Sequence, residues 1–534
     1  MIKKFTLLLL AMLCIANVNA DVYNIPMHLN GFELPYSEFE SLDDATNITF
    51  KLNITSSITG TGWEIGRINH GDDYISFTGT KAGGADVTED FVFTAKQLKD
   101  LAKSSNLTIN LWHECSINSI YASTNKLTLY GGKLLKSKLS ALPNDAIVNF
   151  NITSAADKGT GNGLGDIKAY DGSGAALSSF SCYNGESSEN PQYYKVSSLM
   201  TYIGETEGLS ISIYNHSSYD ITVSNGNQLN LFSGNFAVDY SSNYKVVNGH
   251  AWDFAEAGDV ISIGYTGSGD NWQIKIMKNW TILDNTTDPV SLTDASGTYY
   301  VSLSAADITT LQSFSMEIQG QNISITSVDL IRDKRLVEIS SAGEATYSAS
   351  KILDFSESTV SAYYASAYDK EASTVTMTSI ETVPAGEGLY VRGTAGQYLI
   401  PIGSSASAIT NYLHGTGESS YNVPASATGA YRYIFAKDNT TSEIGFYKLE
   451  ADHTLAAHKA YLQTSEDCTP PAPKGLTRGL IRLSFGGGEG TTAINTALKN
   501  PIVEDGLYYT LQGVAVKNPS KGIYILNGKK VFVK

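Results

Sequence analysis

Apolar and polar residues alternate one by one over short stretches along most of the chain. Turn-forming Gly, Asn, Asp and Ser separate these stretches. Alternation at period two is the pattern of a half-buried antiparallel strand, and many such runs predict an all-β chain. The clearest run is Leu107-Thr108-Ile109-Asn110-Leu111-Trp112. Its counterparts are Leu209-Ser-Ile-Ser-Ile-Tyr214 and Phe314-Ser-Met-Glu-Ile-Gln319, offset by 102 and a further 105 residues. Before each lies a segment with apolar residues about every third position: Ala95, Leu98, Leu101; then Val196, Leu199, Ile203; then Ala305, Ile308, Leu311. Each predicts a helical turn capping a sandwich. After each comes another short strand, and the first two segments close alike, on Lys126-Leu-Thr-Leu-Tyr130-Gly and Gln228-Leu-Asn-Leu-Phe232-Ser.

Matched flanks at constant spacing mark an internal repeat. A unit of about 100 residues suffices for one small domain. The predicted fold is therefore all-β: tandem antiparallel β-sandwich, jelly-roll-like modules, then a further β domain and a short β tail. The expected boundaries are a signal peptide at 1–20, repeats at 21–135, 136–236 and 237–335, a β-rich domain at 336–485, a linker at 486–500 and a tail at 501–534. No long 3.6-period stretch exists, so bundles and parallel α/β folds are excluded.

The N-terminus reads as an export signal. Lys3 and Lys4 precede an apolar run from Phe5 to Ala16, and Val18-Asn19-Ala20 precedes the expected cut. The run is too short to span about 30 Å of hydrocarbon. Losing Lys3 and Lys4 takes the net charge from −16 to −18. Acidity on this scale argues against nucleic acid and against an anionic membrane surface. Cys115, Cys182 and Cys468 remain, too few for a disulfide framework; each is read as a small buried apolar residue.

Segment three carries Ala257-Gly-Asp-Val-Ile-Ser-Ile, Asp270-Asn-Trp-Gln-Ile-Lys-Ile276, Lys278-Asn-Trp280 and Ile318-Gln-Gly-Gln-Asn-Ile-Ser-Ile325. These phrases resemble jelly-roll modules of exported polysaccharide-degrading and glycan-binding proteins of gram-negative anaerobes. The resemblance covers about 95 residues and reaches the other segments only through the repeat. Segment two departs furthest, with Leu164 near where Trp63 and Trp272 fall. The second body includes Val383-Pro-Ala-Gly-Glu-Gly-Leu-Tyr-Val-Arg-Gly393 and Ile444-Gly-Phe-Tyr-Lys448. It resembles a β-module of the same exported proteins with no defined activity. At the end, Tyr508 to Val516 and Asn518 to Lys534 resemble the C-terminal sorting domain of type IX secretion, including Lys-Gly-Ile-Tyr and Gly-Lys-Lys. That resemblance implies the secretion machinery as a partner and the outer cell surface as destination. Asn527-Gly528 between alternating runs predicts a two-residue hairpin turn.

No nucleophile elbow, P-loop or dinucleotide fingerprint appears. His113, Glu114 and Cys115 are adjacent on a strand and diverge, so they make a poor metal site. His453 and His458 lack a helix to align them. A glycosidase needs two carboxylates about 5 to 10 Å apart across a cleft, but Asp72-Asp73 and Glu89-Asp90 are neighbours that point apart. No cofactor is expected; an acidic loop such as Asp72-Asp73 could hold a structural calcium. Asn-Ile-Thr at Asn47, Asn53 and Asn151 is read as strand composition rather than glycosylation.

Aromatic residues are the better lead, because sugar rings present flat C–H faces. Trp63 and Trp272 are expected in the core, and Trp280 at a turn is expected to be exposed. Period two puts Leu107, Ile109 and Leu111 on the core face and Thr108, Asn110 and Trp112 on the other. The same phase groups Ser210, Ser212 and Tyr214, and then Ser315, Glu317 and Gln319. The candidate glycan-binding residues are therefore Trp112, Asn110, Tyr214, Glu317, Gln319 and Trp280. The alternative for Trp112 is that it tucks under a loop. Three functions compete: a non-catalytic surface glycan binder, an adhesin or spacer, and a small jelly-roll polysaccharide-active enzyme.

Overall fold

The computed structural model describes residues 22–54, 63–79, 86–112, 114–154, 163–169, 177–181, 192–213, 216–240, 244–247, 249–437, 443–470 and 480–485, and four short strands near the C-terminus. The expected signal peptide and linker lie outside them, as do Cys182 and Tyr214. The chain divides into two compact units, Met1–Leu336 and Val337–Lys534.

Unit 1 opens with β1 (Tyr23–Pro26), β2 (Glu33–Leu34), β3 (Asn47–Ile54), β4 (Trp63–His70), β5 (Asp73–Gly79), β6 (Val87–Thr94), α1 (Ala95–Ala102), β7 (Leu107–Leu111) and β8 (Ser116–Thr124). These strands form two sheets, in the orders β1-β8-β3-β6 and β2-β7-β4-β5. That interleaving is a jelly roll, and it explains the long-range pairing of first with last strand. Phe50 and Phe77 fill the space between the sheets, with Phe91 and Phe93 edge-on to Phe77.

The pattern recurs. The second roll has β9 (Lys133–Leu135), α2 (Lys136–Ser140), β10 (Ile147–Ser154), β11 (Gly163–Ala169), β12 (Ser178–Ser181), β13 (Gln192–Lys195), α3 (Val196–Ile203), β14 (Gly208–Ile213) and β15 (His216–Ser224). Its sheets are β13-β10-β15 and β12-β11-β14-β9. The third has β16 (Gln228–Val238), β17 (Lys245–Val247), β18 (Val260–Gly267), β19 (Gln273–Lys278), β20 (Thr281–Ile282), β21 (Val290–Ser291), β22 (Ser296–Ser302), α4 (Ala305–Leu311), β23 (Met316–Gln321) and β24 (Ile323–Ile331). Its sheets are β16-β24-β18-β22 and β17-β23-β19-β20.

Strand pairing draws the repeat borders earlier than the expected 135/136 and 236/237. β9 pairs with β14, and β16 pairs with β24, so both belong to the roll that follows. Lys126–Tyr130 and Gln228–Phe232, which look like endings in the sequence, are openings. The capping segments are α1, α3 and α4, each about two turns rather than one. Thr94 with Gln97, and Ser304 with Asp307, form capping boxes that satisfy the first free N–H groups of α1 and α4.

No linker separates the rolls. Glu38, in the 3-10 turn Tyr36–Glu38, meets Lys138 of α2 at 2.5 Å, and both side chains are fully buried. Lys138 also donates to the Thr128 hydroxyl at 2.9 Å, and Thr128 donates to the Glu38 carbonyl at 3.3 Å. Burial pulls the Lys138 pKa below the ordinary lysine value against the opposing attraction of Glu38. At the next junction Tyr193 of β13 and Ile147 of β10 lie within the third roll's core, which includes Trp252. The Tyr193 hydroxyl donates to the Asn230 carbonyl, and Arg332 donates to the Gly226 carbonyl at 2.9 Å.

Unit 2 is built on a nine-stranded sheet. Its order is Glu344–Ser348, Gly388–Arg392, Ser361–Asp369, Thr374–Ile380, Leu480–Phe485, Ile444–Lys448, Tyr431–Lys437, Ala460–Thr464, Leu413–Gly415. Only Thr374–Ile380 with Leu480–Phe485 is recorded as parallel among the described pairings. The sheet curls until its ends meet. There Ala460 N–H donates to the Thr346 hydroxyl at 3.3 Å, and Ser348 donates to the Lys459 carbonyl at 2.8 Å. Tyr390, Tyr433, Phe446 and Leu462 are buried within. Beyond it, Tyr508–Tyr509, Ala515–Val516, Gly522–Leu526 and Lys529–Val533 form a four-stranded sheet. Leu526 faces Lys529 across the two residues expected to turn, Asn527 and Gly528.

Two expectations follow. Lys138→Met leaves Glu38 buried without its counter-charge and should cost about 3–5 kcal/mol in denaturant unfolding; Lys138→Met with Glu38→Leu should recover most of it. In unit 2, burial raises the Asp467 carboxyl, but hydrogen bonds from Lys448 and Thr469 outweigh it and hold the pKa at about 2. A depressed folded pKa stabilises above the unfolded carboxylate value and is lost as pH falls through it. The melting temperature of unit 2 should therefore fall between about pH 4 and pH 2, and Asp467→Asn should flatten that slope.

Candidate functional site

The sheet β2-β7-β4-β5 turns one face to the core and leaves the other open. On β7, Leu107 and Ile109 are buried while Thr108 and Asn110 are exposed. Arg67 of β4 lies opposite both Asn110 and Ser76 of β5, so all three share the open face. Asn69 joins them between Thr108 and Tyr74. A bulge at Ile65 breaks the alternation of β4: Ile65 and Ile68 both point inward, and Glu64 is brought round to Arg67. Gly66 makes this approach feasible, because a Cβ there would stand 2.5 Å from the Asn110 carbonyl oxygen.

Glu64 and Arg67 form a two-pronged ion pair, Nε to Oε1 at 2.5 Å and Nη2 to Oε2 at 2.8 Å. Ser76 donates to the same carboxylate. The Arg67 and Ser76 hydrogen bonds hold the Glu64 pKa below its ordinary value, and Glu64 raises that of Arg67. The guanidinium carbon sits 3.8 Å from the centre of the Tyr74 ring and 5.4 Å from that of Trp112. Both rings reach solvent, at 49% and 36% exposure. Trp112 follows β7 and is fixed by its N–H donating to the Ile65 carbonyl at 2.9 Å, while its own carbonyl accepts from Cys115 N–H at 3.1 Å. The result is a strip of two solvent-reaching aromatic rings joined by a cation. An ionised carboxylate, two amides and hydroxyls border it.

The remaining sequence candidates sit elsewhere. Tyr214 lies outside the described residues. Glu317 and Gln319 are half-buried on β23 of the third roll, opposite Met277 and Lys275 of β19. Trp280 is 78% exposed at the tip of the β19–β20 hairpin, where Asn279 and Trp280 both take left-handed backbone, φ 42° and 65°. Phe314, aligned in sequence with core Leu107, precedes β23 and is 48% exposed, because the strand begins only at Met316. Trp272 packs partly buried against the third core, and Trp252 is wholly inside it; the Trp63 side chain lies outside the described residues. Asp73 pairs with Lys103 at 2.6 Å. Among the described residues no three His, Cys, Asp or Glu side chains cluster as metal ligands, and His458 is buried and stacked on Tyr347.

Sequence reasoning missed Tyr74, Arg67 and Glu64. The alternation of Asp73–Gly79 marks a strand, but only its pairing with β4 shows which residues join Trp112.

No family model matches the chain, and no curated protein matches it. Among solved structures it is similar to SGBP-B of the mixed-linkage glucan utilization locus of Bacteroides ovatus, in complex with a mixed-linkage heptasaccharide. Identity is 10%, TM-score 0.18, with 52% of this chain and 76% of that chain covered. It is also similar to a triple jelly-roll protein of turret assembly in an archaeal virus, at 10% identity and TM-score 0.14, covering 58% and 89%.

Gly66→Ala tests the construction of that face. The added methyl would also meet Leu111 Cδ2 at 2.6 Å. It should therefore force β4 from β7, cost about 1–3 kcal/mol in thermal unfolding and release Glu64 from Arg67.

Proposed function

We propose that the chain is a non-catalytic glycan-binding protein of the bacterial cell surface. The observation that carries this reading is the pair of solvent-facing rings, Tyr74 and Trp112, bridged by Arg67 on an open sheet face. A pyranose laid on the strip would place its C–H faces on the rings. Its hydroxyls would donate to Glu64 and exchange hydrogen bonds with Asn110 and Asn69. Asn110 and Trp112 thus act with residues of two other strands. Export by the N-terminal signal and sorting by the type IX-like tail are part of the proposal, resting on Lys3 to Ala20 and on Tyr508 to Lys534.

The linkerless junctions favour a second reading, a stiff spacer that holds another surface away from the cell. Mutation separates the two. If Trp112 stacks on a sugar, about 80 Å² of buried apolar surface contributes roughly 2 kcal/mol. Trp112→Ala and Tyr74→Ala should each weaken retention on a bound polysaccharide about thirtyfold, with little change in melting temperature. A sharp fall in melting temperature with binding intact would assign Trp112 to packing. Deleting residues 501–534 should abolish surface delivery in cell fractionation; unchanged delivery would remove the sorting role.

A further inference from the structure

The third roll has its own open sheet face, built differently from the first. Glu317 stands mid-strand on β23, directly between Val246 of β17 and Met277 of β19. Its Oε2 is buried and has no hydrogen-bond partner among the described residues. Gln319 lies opposite Lys275, whose ammonium is held by Asp288 at 3.0 Å. Gln321 lies opposite Gln273, which accepts at 2.9 Å from the hydroxyl of Tyr240. Tyr240 is 38% exposed. An aromatic ring, three amides and a carboxylate oxygen lacking a donor thus share one side of β17-β23-β19-β20.

We propose that this face is a second ligand site, and that the ligand it shares with the first roll is an uncharged polysaccharide. This rests on the glycan-binding reading above. Glu317 Oε2 has no donor inside the sheet among the described residues, and a turn of this half-buried side chain toward the open face would let a sugar hydroxyl supply one. Burial raises the Glu317 pKa, as expected for a carboxylate short of partners. The described cation of each face is already neutralised, Arg67 by Glu64 and Lys275 by Asp288. Among the described residues neither Arg67 nor Lys275 is therefore free to meet a uronate or sulfate, and the net charge of −16 repels anionic chains. The welded junctions hold both faces in one unit, so a long chain engaging one raises the effective concentration at the other.

The test uses the full mature chain with soluble neutral polysaccharides (a β-glucan, a xylan, a mannan), their oligosaccharides, and polygalacturonate. Calorimetry should give two oligosaccharide sites per chain. Tyr240→Ala with Gln319→Ala should reduce this to one and weaken polymer retention at least tenfold, with an unchanged melting temperature. Glu317→Gln should weaken the second site alone. A single site in the parent, lost with Trp112→Ala and untouched by Tyr240→Ala and Gln319→Ala, would overturn the second site and leave the first. Preference for polygalacturonate would overturn the uncharged class. No binding to any of these would overturn both readings.

Discussion

Where the first two jelly rolls meet, an ammonium and a carboxylate share a space closed to water, and the continuity of unit 1 depends on that pair being complete. Neither charge has solvent to fall back on. The Glu38 side chain is fully buried, and Lys138 is reached only by Glu38 and Thr128 among the described hydrogen bonds. Such a pair adds little net stability over an apolar replacement, but it is intolerant of any geometry that separates its members. It therefore acts as a register pin beside the apolar contact that Ile25 of the first roll makes in the core of the second. The next junction uses a different device, a tyrosine seated in its neighbour's core with its hydroxyl satisfied by a backbone carbonyl.

The repeat was legible in the sequence because its signals are local. Alternation along Leu107–Leu111 and the three-residue spacing of Ala95, Leu98 and Leu101 survive in each copy, and both follow from which side of an element meets the core. The borders were not legible, because a jelly roll pairs its first strand with its last. Nothing within Gln228–Val238 says that its partner is Ile323–Ile331 rather than the strand just before it. The second unit shows the same limit: its short strands are plain from Pro-Ala-Gly and Gly turns, yet the parallel pairing of Thr374–Ile380 with Leu480–Phe485 spans a hundred residues.

The candidate face divides along the same line. Asn110 and Trp112 follow from period two on a single strand. Tyr74, Arg67 and Glu64 depend on register between strands and on a bulge that reverses the phase of β4, and neither is written in one strand's pattern. Trp280 shows the converse. Its exposure follows from a tight turn, but the left-handed backbone at a bulky residue does not, since Asn-Gly is the usual pair there.

Tyr193 and Ile147 belong by sequence to the second roll and by packing to the third, and Ile25 of the first lies in the core of the second. Each repeat thus carries part of its neighbour's interior. A gene duplication or deletion that copied one repeat as a cassette would leave a hole in one core and bare apolar side chains beside another. The number of rolls is in this sense locked by their packing. Evolution can reshape the open faces one residue at a time far more readily than it can lengthen or shorten the array.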